Sequence, residues 1–229
     1  MANERNVAAA FVEQVLAYCR PVGTVQFFAV LDHKSRDGTL ELMRGLAHSH
    51  SGVRVVWAPE NRSVVDAYMR GYHEALNSDA DWILEIDCGF SHQPSDIPKF
   101  LAAMAQGYDC AFGSRFCEDG RMSDSPFSRY VISRGGTLLA NLLLGTTLQD
   151  MTSGFQMFTR RALVAILDKG IRSRGHFFQT EMKVHARHMR VAEIPIHYRA
   201  ASDSVNRQVL ADALRNLGHL WKQRLNGSL

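Results

Sequence analysis

Residues Trp82 to Pro94 read W-I-L-E-I-D-C-G-F-S-H-Q-P, a short apolar run that stops at a carboxylate and a glycine. Trp82, Ile83, Leu84 and Ile86 carry strand propensity, and Cys88-Gly89 permits a tight turn. A strand predicted over Trp82–Ile86 therefore delivers Asp87 to its carboxyl end, and Ser91 or Ser95 can cap the helix that follows. In an open parallel sheet, ligands sit beyond the carboxyl ends of the strands, so an acid released there faces a crevice. A strand-end aspartate is otherwise an ordinary turn former or helix cap, and the surrounding chain has to decide between the two.

The surrounding chain repeats the arrangement. Helical spacing over Asn6–Tyr18 precedes an apolar strand, Val25–Leu31, which ends in Asp32. The turn-rich stretch H-K-S-R-D-G-T leads into a helix carrying Leu40, Leu42, Met43 and Leu46. Strands at Val53–Trp57, Trp82–Ile86 and Asp109–Phe112 then alternate with helices at Val64–Leu76 and Pro98–Gln106, the signature of βαβ units. The third of these strands ends in Gly113-Ser114-Arg115, and the polar segment Glu118–Ser125 reads as a mobile loop. Further along, helices are expected at Phe127–Leu144, Arg161–Leu167 and His176–His188, a strand at Val191–Tyr198 and a loop at Arg199–Asn206. The closing helix, Gln208–Leu225, puts Leu210, Leu214, Leu217, Trp221 and Leu225 on one face. The expected fold is a Rossmann-type α/β sandwich, a mostly parallel central sheet with helices on both faces.

At 229 residues, 46% hydrophobic, the chain suits one domain spanning residues 1–206, with residues 207–229 as an amphipathic helix of that domain. A formal charge of +3 is too small to argue for nucleic acid as a partner, though it suits phosphates or an anionic surface. The cysteines, Cys19, Cys88, Cys110 and Cys117, show no paired metal-ligand spacing, and no signal segment opens the chain. Reduced thiols and a cytoplasmic protein are expected. The apolar stretch around Leu138–Leu144 is far short of the roughly 20 residues that cross a bilayer.

Taken in order, these motifs resemble family 2 glycosyltransferases of GT-A fold, in particular the polyprenyl-phosphate, dolichol-phosphate mannose synthase-like branch. The likeness runs from about Asn3 to Asn206. Asn3-Glu4 is similar to the end of a P-x-Y-N-E motif, and L-D-H-K-S-R-D-G-T to V-D-D-G-S-T-D-G-T. E-N-R-S-V-V-D-A-Y-M-R-G-Y resembles the N-x-G-x-x-x-A-x-x-x-G helix start. I-D-C-G-F-S-H-Q-P resembles M-D-A-D-x-S-H-x-P. G-S-R, S-R-G-G, D-M-T-S-G-F and F-F-Q-T-E follow in the family's order.

The resemblance implies inverting transfer of a hexose from a nucleotide diphosphate sugar, with Mg2+ or Mn2+ on the diphosphate. Residue chemistry agrees, because a departing diphosphate gathers negative charge and needs a hard cation on oxygen ligands with guanidinium groups nearby. Asp87 and, by resemblance, Gln179 are the expected metal ligands. Glu4 and Asp32 are implied to contact the nucleotide together with Asp87 and Arg115. Arg129, Ser133, Arg134 and Arg199 are the candidates for acceptor or phosphate binding. A lipid-phosphate acceptor is already ionised and needs no base, whereas a small-molecule hydroxyl acceptor needs Asp150 or Glu181 to take its proton. His92, in the S-H-x-P motif, is expected to support the site rather than to ligate metal; a metal site at His185 and His188 lacks a third ligand.

Three departures from the family bear on this reading. Gly89 replaces the second carboxylate of D-x-D, which predicts weak metal binding without nucleotide. The apolar strand that precedes N-E in the family has only Met1 and Ala2 in its place, so part of the base pocket is absent or borrowed. His33 and Lys34 replace an Asp-Gly pair, and Val205 stands where a lysine usually closes an S-K pair, with Arg207 nearby to substitute. Two rivals follow: a soluble glycosyltransferase acting on a hydroxyl, and a non-catalytic nucleotide-sugar-binding homologue. Peripheral contact with the inner membrane face through the basic, amphipathic tail, and homo-oligomerisation, complete the expected partners.

Overall fold

The computed structural model describes residues 1–199 and 207–229, the side chain of Arg207 excepted. In chain order the elements are α1 (Ala8–Cys19), β1 (Phe27–Leu31), α2 (Thr39–Ser49), β2 (Val53–Trp57), α3 (Val64–Leu76), β3 (Trp82–Glu85), α4 (Ile97–Ala105), β4 (Cys110–Ser114), β5 (Arg121–Ser123), α5 (Phe127–Leu144), β6 (Gln156–Thr159), α6 (Arg160–Leu167), α7 (Phe178–His185), β7 (Val191–Pro195), β8 (His197–Arg199) and α8 (Arg207–Leu225). Val205 and the rest of the expected 199–206 loop, like the Arg207 side chain, lie outside the described residues.

The α/β sandwich expected from the alternation is present. Strands pair as β1-β2, as β3-β6-β4-β7 and as β5-β8. Three of these pairings are parallel, while β6 runs antiparallel to both β3 and β4. Alternation along the strands sends side chains to opposite faces. Ala111 and Met157 meet Phe11, Val15, Phe100 and Met104 of α1 and α4 on one face. Cys110, Phe112 and Phe158 meet Val65, Leu163, Ile166, Phe178 and Met182 of α3, α6 and α7 on the other. Phe100 and Phe155, fully buried and stacked at 4.3 Å, are each stabilised by roughly 1.5–3 kcal/mol through removal from water.

The structure departs from the sequence pattern in three places. Gln156–Thr159 is a central strand that hydropathy hides, because Gln156 is fully buried and spends its side-chain amide N–H groups on Glu85 and Gln179. The expected mobile loop carries β5, which pairs with β8. The expected strand Val191–Tyr198 is broken at Ile196 into β7 and β8, so that its second half leaves the central sheet. At the amino end, Met1 lies beside β1, its nitrogen donating to the Val30 carbonyl at 2.7 Å.

Candidate active site

Helix α3 builds the floor. Ser63 and Asp66 form a reciprocal capping box: Asp66 N–H donates to Ser63 Oγ at 3.2 Å, and Ser63 N–H to the Asp66 carboxylate at 2.9 Å. The cap fixes where the helix starts and hence which face meets the sheet. Four helical residues rise about 6 Å, close to the rise of two strand residues. Tyr68 and Tyr72 therefore match Asp87 and Glu85: the Tyr68 hydroxyl donates to Asp87 Oδ1, and the Tyr72 hydroxyl to Glu85 Oε2. Neither tyrosine stands out in the sequence, although their i, i+4 spacing facing an E-x-D strand end is the signal that finds them.

Asp87 sits just past β3, its side chain 37% exposed, and Gly89 (φ +93°) and Phe90 (φ +60°) turn the chain back sharply. Behind it, His92 is buried between Phe155 and Tyr198 at ring distances of 5.3 and 5.2 Å, and its Nδ1 stops 3.6 Å from Asp87 Oδ2. Burial holds His92 below the usual imidazole range, so it is neutral at pH 7. Tyr198 continues the wall: Arg129 donates to its hydroxyl at 3.0 Å, and the guanidinium groups of Arg115 and Arg129 lie 5.4 and 5.5 Å from its ring centre. Arg134 covers Phe116 at 5.3 Å and donates to the Gln149 carbonyl. Ser133 is half-buried next to it on α5. Arg199 is exposed, its backbone N–H on the Ser91 carbonyl at 2.8 Å, which ties β8 to the loop behind Asp87. His176, absent from the sequence expectations, lies in electrostatic reach of both Asp87 and Arg129, and partial desolvation lowers its pKa.

On the nucleotide side, Glu4 and Asp32 flank the turn after β1. Lys34 N–H donates to Asp32 Oδ1, Arg36 N–H to Asn3 Oδ1 and Glu4 N–H to Thr39 Oγ1. The H-K-S-R-D-G-T stretch thus wraps over Asn3-Glu4. Burial raises the pKa of Glu4; the N-terminal ammonium of Met1 opposes this, while Asp37 and Asp87 add to it.

Four expectations need correction. Asp150 is no accessible base: its carboxylate, 1% exposed as a residue, accepts from Arg115 Nε at 2.7 Å, Arg115 Nη2 at 2.8 Å and the N–H groups of Thr152 and Ser153. Despite its burial, the Arg115 guanidinium holds it ionised, far below the usual carboxylate range. Arg115 is for the same reason not a free phosphate clamp, its side chain only 5% exposed with Nε and Nη2 given to Asp150 and Thr152. Glu181 is buried too, accepting the N–H groups of Arg172 and Ser173 and so pinning the loop before α7. Gln179 is buried in a network with Gln156 and Glu85, its Oε1 taken by Gln156 and its Nε2 given to Glu85. A Cβ on Gly154 would come within 2.9 Å of that Nε2, so the glycine of D-M-T-S-G-F is the space Gln179 occupies.

Among the described residues no cluster of three or more His, Cys, Asp or Glu side chains would hold a metal, and the oxygen donors this end of the sheet offers a divalent cation are the half-buried carboxylates of Asp87 and Glu4. Oxygen donors with room for water and diphosphate suit Mg2+ or Mn2+.

A strand-end carboxylate over a tyrosine-lined floor, an arginine- and aromatic-lined wall and a Rossmann-type sandwich define a nucleotide-sugar-dependent transferase of GT-A fold. The chain belongs to glycosyl transferase family 2, whose sequence profile matches residues 1–167, and its activity is inverting transfer from a nucleotide sugar. It is 32% identical over 171 residues to an undecaprenyl-phosphate mannosyltransferase of Micrococcus luteus, covering 74% of this chain and 70% of that one. It is 29% identical to a polyprenol monophosphomannose synthase of Mycolicibacterium smegmatis, covering 86% and 74% of the two chains. A dolichol-phosphate mannosyltransferase of Pyrococcus furiosus is 27% identical, and this chain spans 54% of its length. Among solved structures, glucosyl-3-phosphoglycerate synthase from Mycobacterium tuberculosis, in complex with Mn2+, UDP-glucose and phosphoglyceric acid, superposes with a TM-score of 0.61 at 19% identity, covering 95% of this chain and 77% of that one. That likeness is one of fold.

Proposed function

We propose that the chain transfers a hexose, mannose on the pattern of its relatives, from a nucleotide diphosphate sugar to a polyprenyl phosphate at a membrane surface. The observation that carries this reading is the state of the two acids from which a base was expected. Asp150 and Glu181 are both buried and saturated with N–H donors, so neither is free to take a proton from a hydroxyl acceptor. A phosphate monoester brings its own ionised oxygen and needs no base. That oxygen attacks the anomeric carbon as the bond from this carbon to the donor diphosphate breaks on the opposite face, which inverts the centre.

Asp87, positioned by the Tyr68 hydroxyl, would hold a Mg2+ or Mn2+, and the ion would neutralise charge on the departing diphosphate. Arg129, Arg134 and Arg199 would orient the acceptor phosphate along the wall built on Tyr198 and Phe116. Asp32 would meet the donor nucleotide.

Membrane attachment rests on two neighbouring helices. Helix α5 exposes Phe127, Val131, Leu138 and Leu142, and α8 exposes Leu210, Leu214, Trp221 and Leu225. The two helices share a core of Ala140, Leu144, Leu217 and Leu220. No described helix is long and apolar enough to cross a membrane; contact through these faces would be peripheral, with the exposed Arg215 and Lys222 toward anionic headgroups. The free cysteines support a cytoplasmic face.

The test is product formation from radiolabelled GDP-mannose or UDP-glucose with undecaprenyl phosphate and Mg2+ or Mn2+, scored as label entering the organic phase. Product that vanishes in Asp87→Asn is expected. Label entering only hydroxyl acceptors would install the first rival; nucleotide binding without turnover on any acceptor would install the non-catalytic one.

A further inference from the structure

Gly89 stands where the family motif carries a second carboxylate, and the structure shows what fills the gap. Its φ of +93° belongs to a region that side-chain-bearing residues rarely adopt, and the following Phe90 is also left-handed. A Cβ built on Gly89 would lie 2.9 Å from Glu4 Oε2 and 3.0 Å from Glu4 Oε1. The volume that an aspartate side chain would enter two residues after Asp87 therefore already contains a carboxylate, delivered from the other end of the domain.

Glu4 is held for this position by its backbone. Its N–H donates to Thr39 Oγ1 at 2.9 Å, and its carbonyl accepts from Val7 and Ala8 at 3.0 and 2.8 Å at the start of α1. Its carboxylate, by contrast, receives no hydrogen bond and no ion pair from any described side chain. An independent sign comes from the opposite side of Asp87. His92 is 1% exposed, its Nδ1 has no hydrogen-bond partner, and that nitrogen points at Asp87 Oδ2 from 3.6 Å, too far to bond. The site thus holds the Glu4 carboxylate against Gly89, within electrostatic reach of Asp87 and partly offset by the N-terminal ammonium, with an orphaned ring nitrogen behind Asp87.

We propose that Glu4 supplies the second carboxylate for a divalent cation beside Asp87, replacing the side chain that Gly89 lacks. The resemblance implies that Glu4 contacts the nucleotide; here its carboxylate lies against Gly89, within electrostatic reach of Asp87. The inference rests on the transferase reading for the presence of a cation, but its test does not depend on turnover. Oxygen donors of this kind select a hard ion such as Mg2+ or Mn2+, which completes its shell with diphosphate and water.

The experiment is Mn2+ titration of the full-length protein, followed by the electron paramagnetic resonance of free Mn2+, alone and with GDP or UDP, beside nucleotide affinity measured in EDTA. Glu4→Gln is expected to weaken Mn2+ binding roughly tenfold or more, as Asp87→Asn does, while leaving nucleotide affinity in EDTA unchanged. Gly89→Asp should also lose affinity, because its carboxylate meets Glu4, and the exchange Glu4→Ala/Gly89→Asp should bind Mn2+ more tightly than Glu4→Ala. Thermal melting of each variant separates lost ligation from lost folding. The proposal is overturned if folded Glu4→Gln keeps native Mn2+ affinity, if it lowers nucleotide affinity equally with EDTA and with Mn2+, or if the native protein binds no Mn2+ with either nucleotide. Sugar transfer by the native protein, measured separately, would leave the transferase reading standing in each case.

Discussion

Replacing Asp150 with asparagine separates a structural acid from a catalytic one. The carboxylate accepts from Arg115 Nε at 2.7 Å, Arg115 Nη2 at 2.8 Å, Arg115 N–H at 3.1 Å, Thr152 N–H at 3.0 Å and Ser153 N–H at 3.2 Å. A second buried cation stands close by, since Lys183 Nζ donates to the Asp150 and Ser153 carbonyls at 2.8 and 2.9 Å. Asparagine keeps the volume but turns an amide N–H2 toward the guanidinium and leaves two buried cations without their anion. Removing one partner of a buried pair costs roughly 3–5 kcal/mol. For a domain of this size, at about 2–4 °C per kcal/mol, the melting temperature should fall by roughly 6–20 °C. Lys183, whose pKa burial already lowers to about 8, has a route to relieve part of this cost by losing its proton, which favours the lower half of the range. Circular dichroism melts at several pH values provide the assay. Because Asp150's folded pKa lies below its unfolded value, its contribution is present above about pH 4 and is lost as pH falls through the folded pKa. The gap between native and variant should therefore be full at pH 7 and should narrow only below about pH 4. If Asp150→Asn melted within about 2 °C of the native protein at pH 7 yet lost turnover, the structural reading would be wrong and Asp150 would be the base.

Two further expectations test other parts of the structure. Burial pushes Glu85 up to about 8, against the hydrogen bonds from Tyr72 and Gln179 that favour its ionised form. Its stabilising contribution is therefore complete below the unfolded carboxyl pKa of about 4.3 and declines as pH rises toward 8, so Glu85→Gln should flatten the fall in melting temperature between pH 5 and 8. Leu142, 76% exposed on α5, and Leu214, 55% exposed on α8, are expected to be membrane contacts. Leu142→Glu/Leu214→Glu should reduce co-sedimentation with anionic vesicles several-fold while changing stability by roughly 0.5 kcal/mol or less per site; unchanged co-sedimentation would remove the membrane face.

Much of the chain's architecture is written in local patterns. The run Trp82–Ile86 announces β3 and the release of Asp87; the Ser63–Asp66 spacing announces the start of α3; the 3.6-residue repeat of leucines announces α8. Period and capping depend on residues a few positions apart, so one sequence suffices to read them. The pairing of buried polar groups does not work that way. Gln179 meets Glu85 across 94 residues and Arg115 meets Asp150 across 35, and nothing near either residue announces its partner. Sequence therefore marked Asp150 and Glu181 as candidate bases by their type and Gln179 as a metal ligand by resemblance, while the fold engages all three in buried hydrogen bonds, because an unsatisfied buried polar group costs more than a hydrogen bond returns. β6 escaped notice for the same reason, its Gln156 being polar in composition and apolar in setting. The family, the strand-end acid and the alternation of helices with β1 to β4 belong to the sequence alone. Which acids are consumed in buried hydrogen bonds was decided by the tertiary structure, and only there does the carboxylate of residue 4 come to lie in the space left by the missing side chain of residue 89.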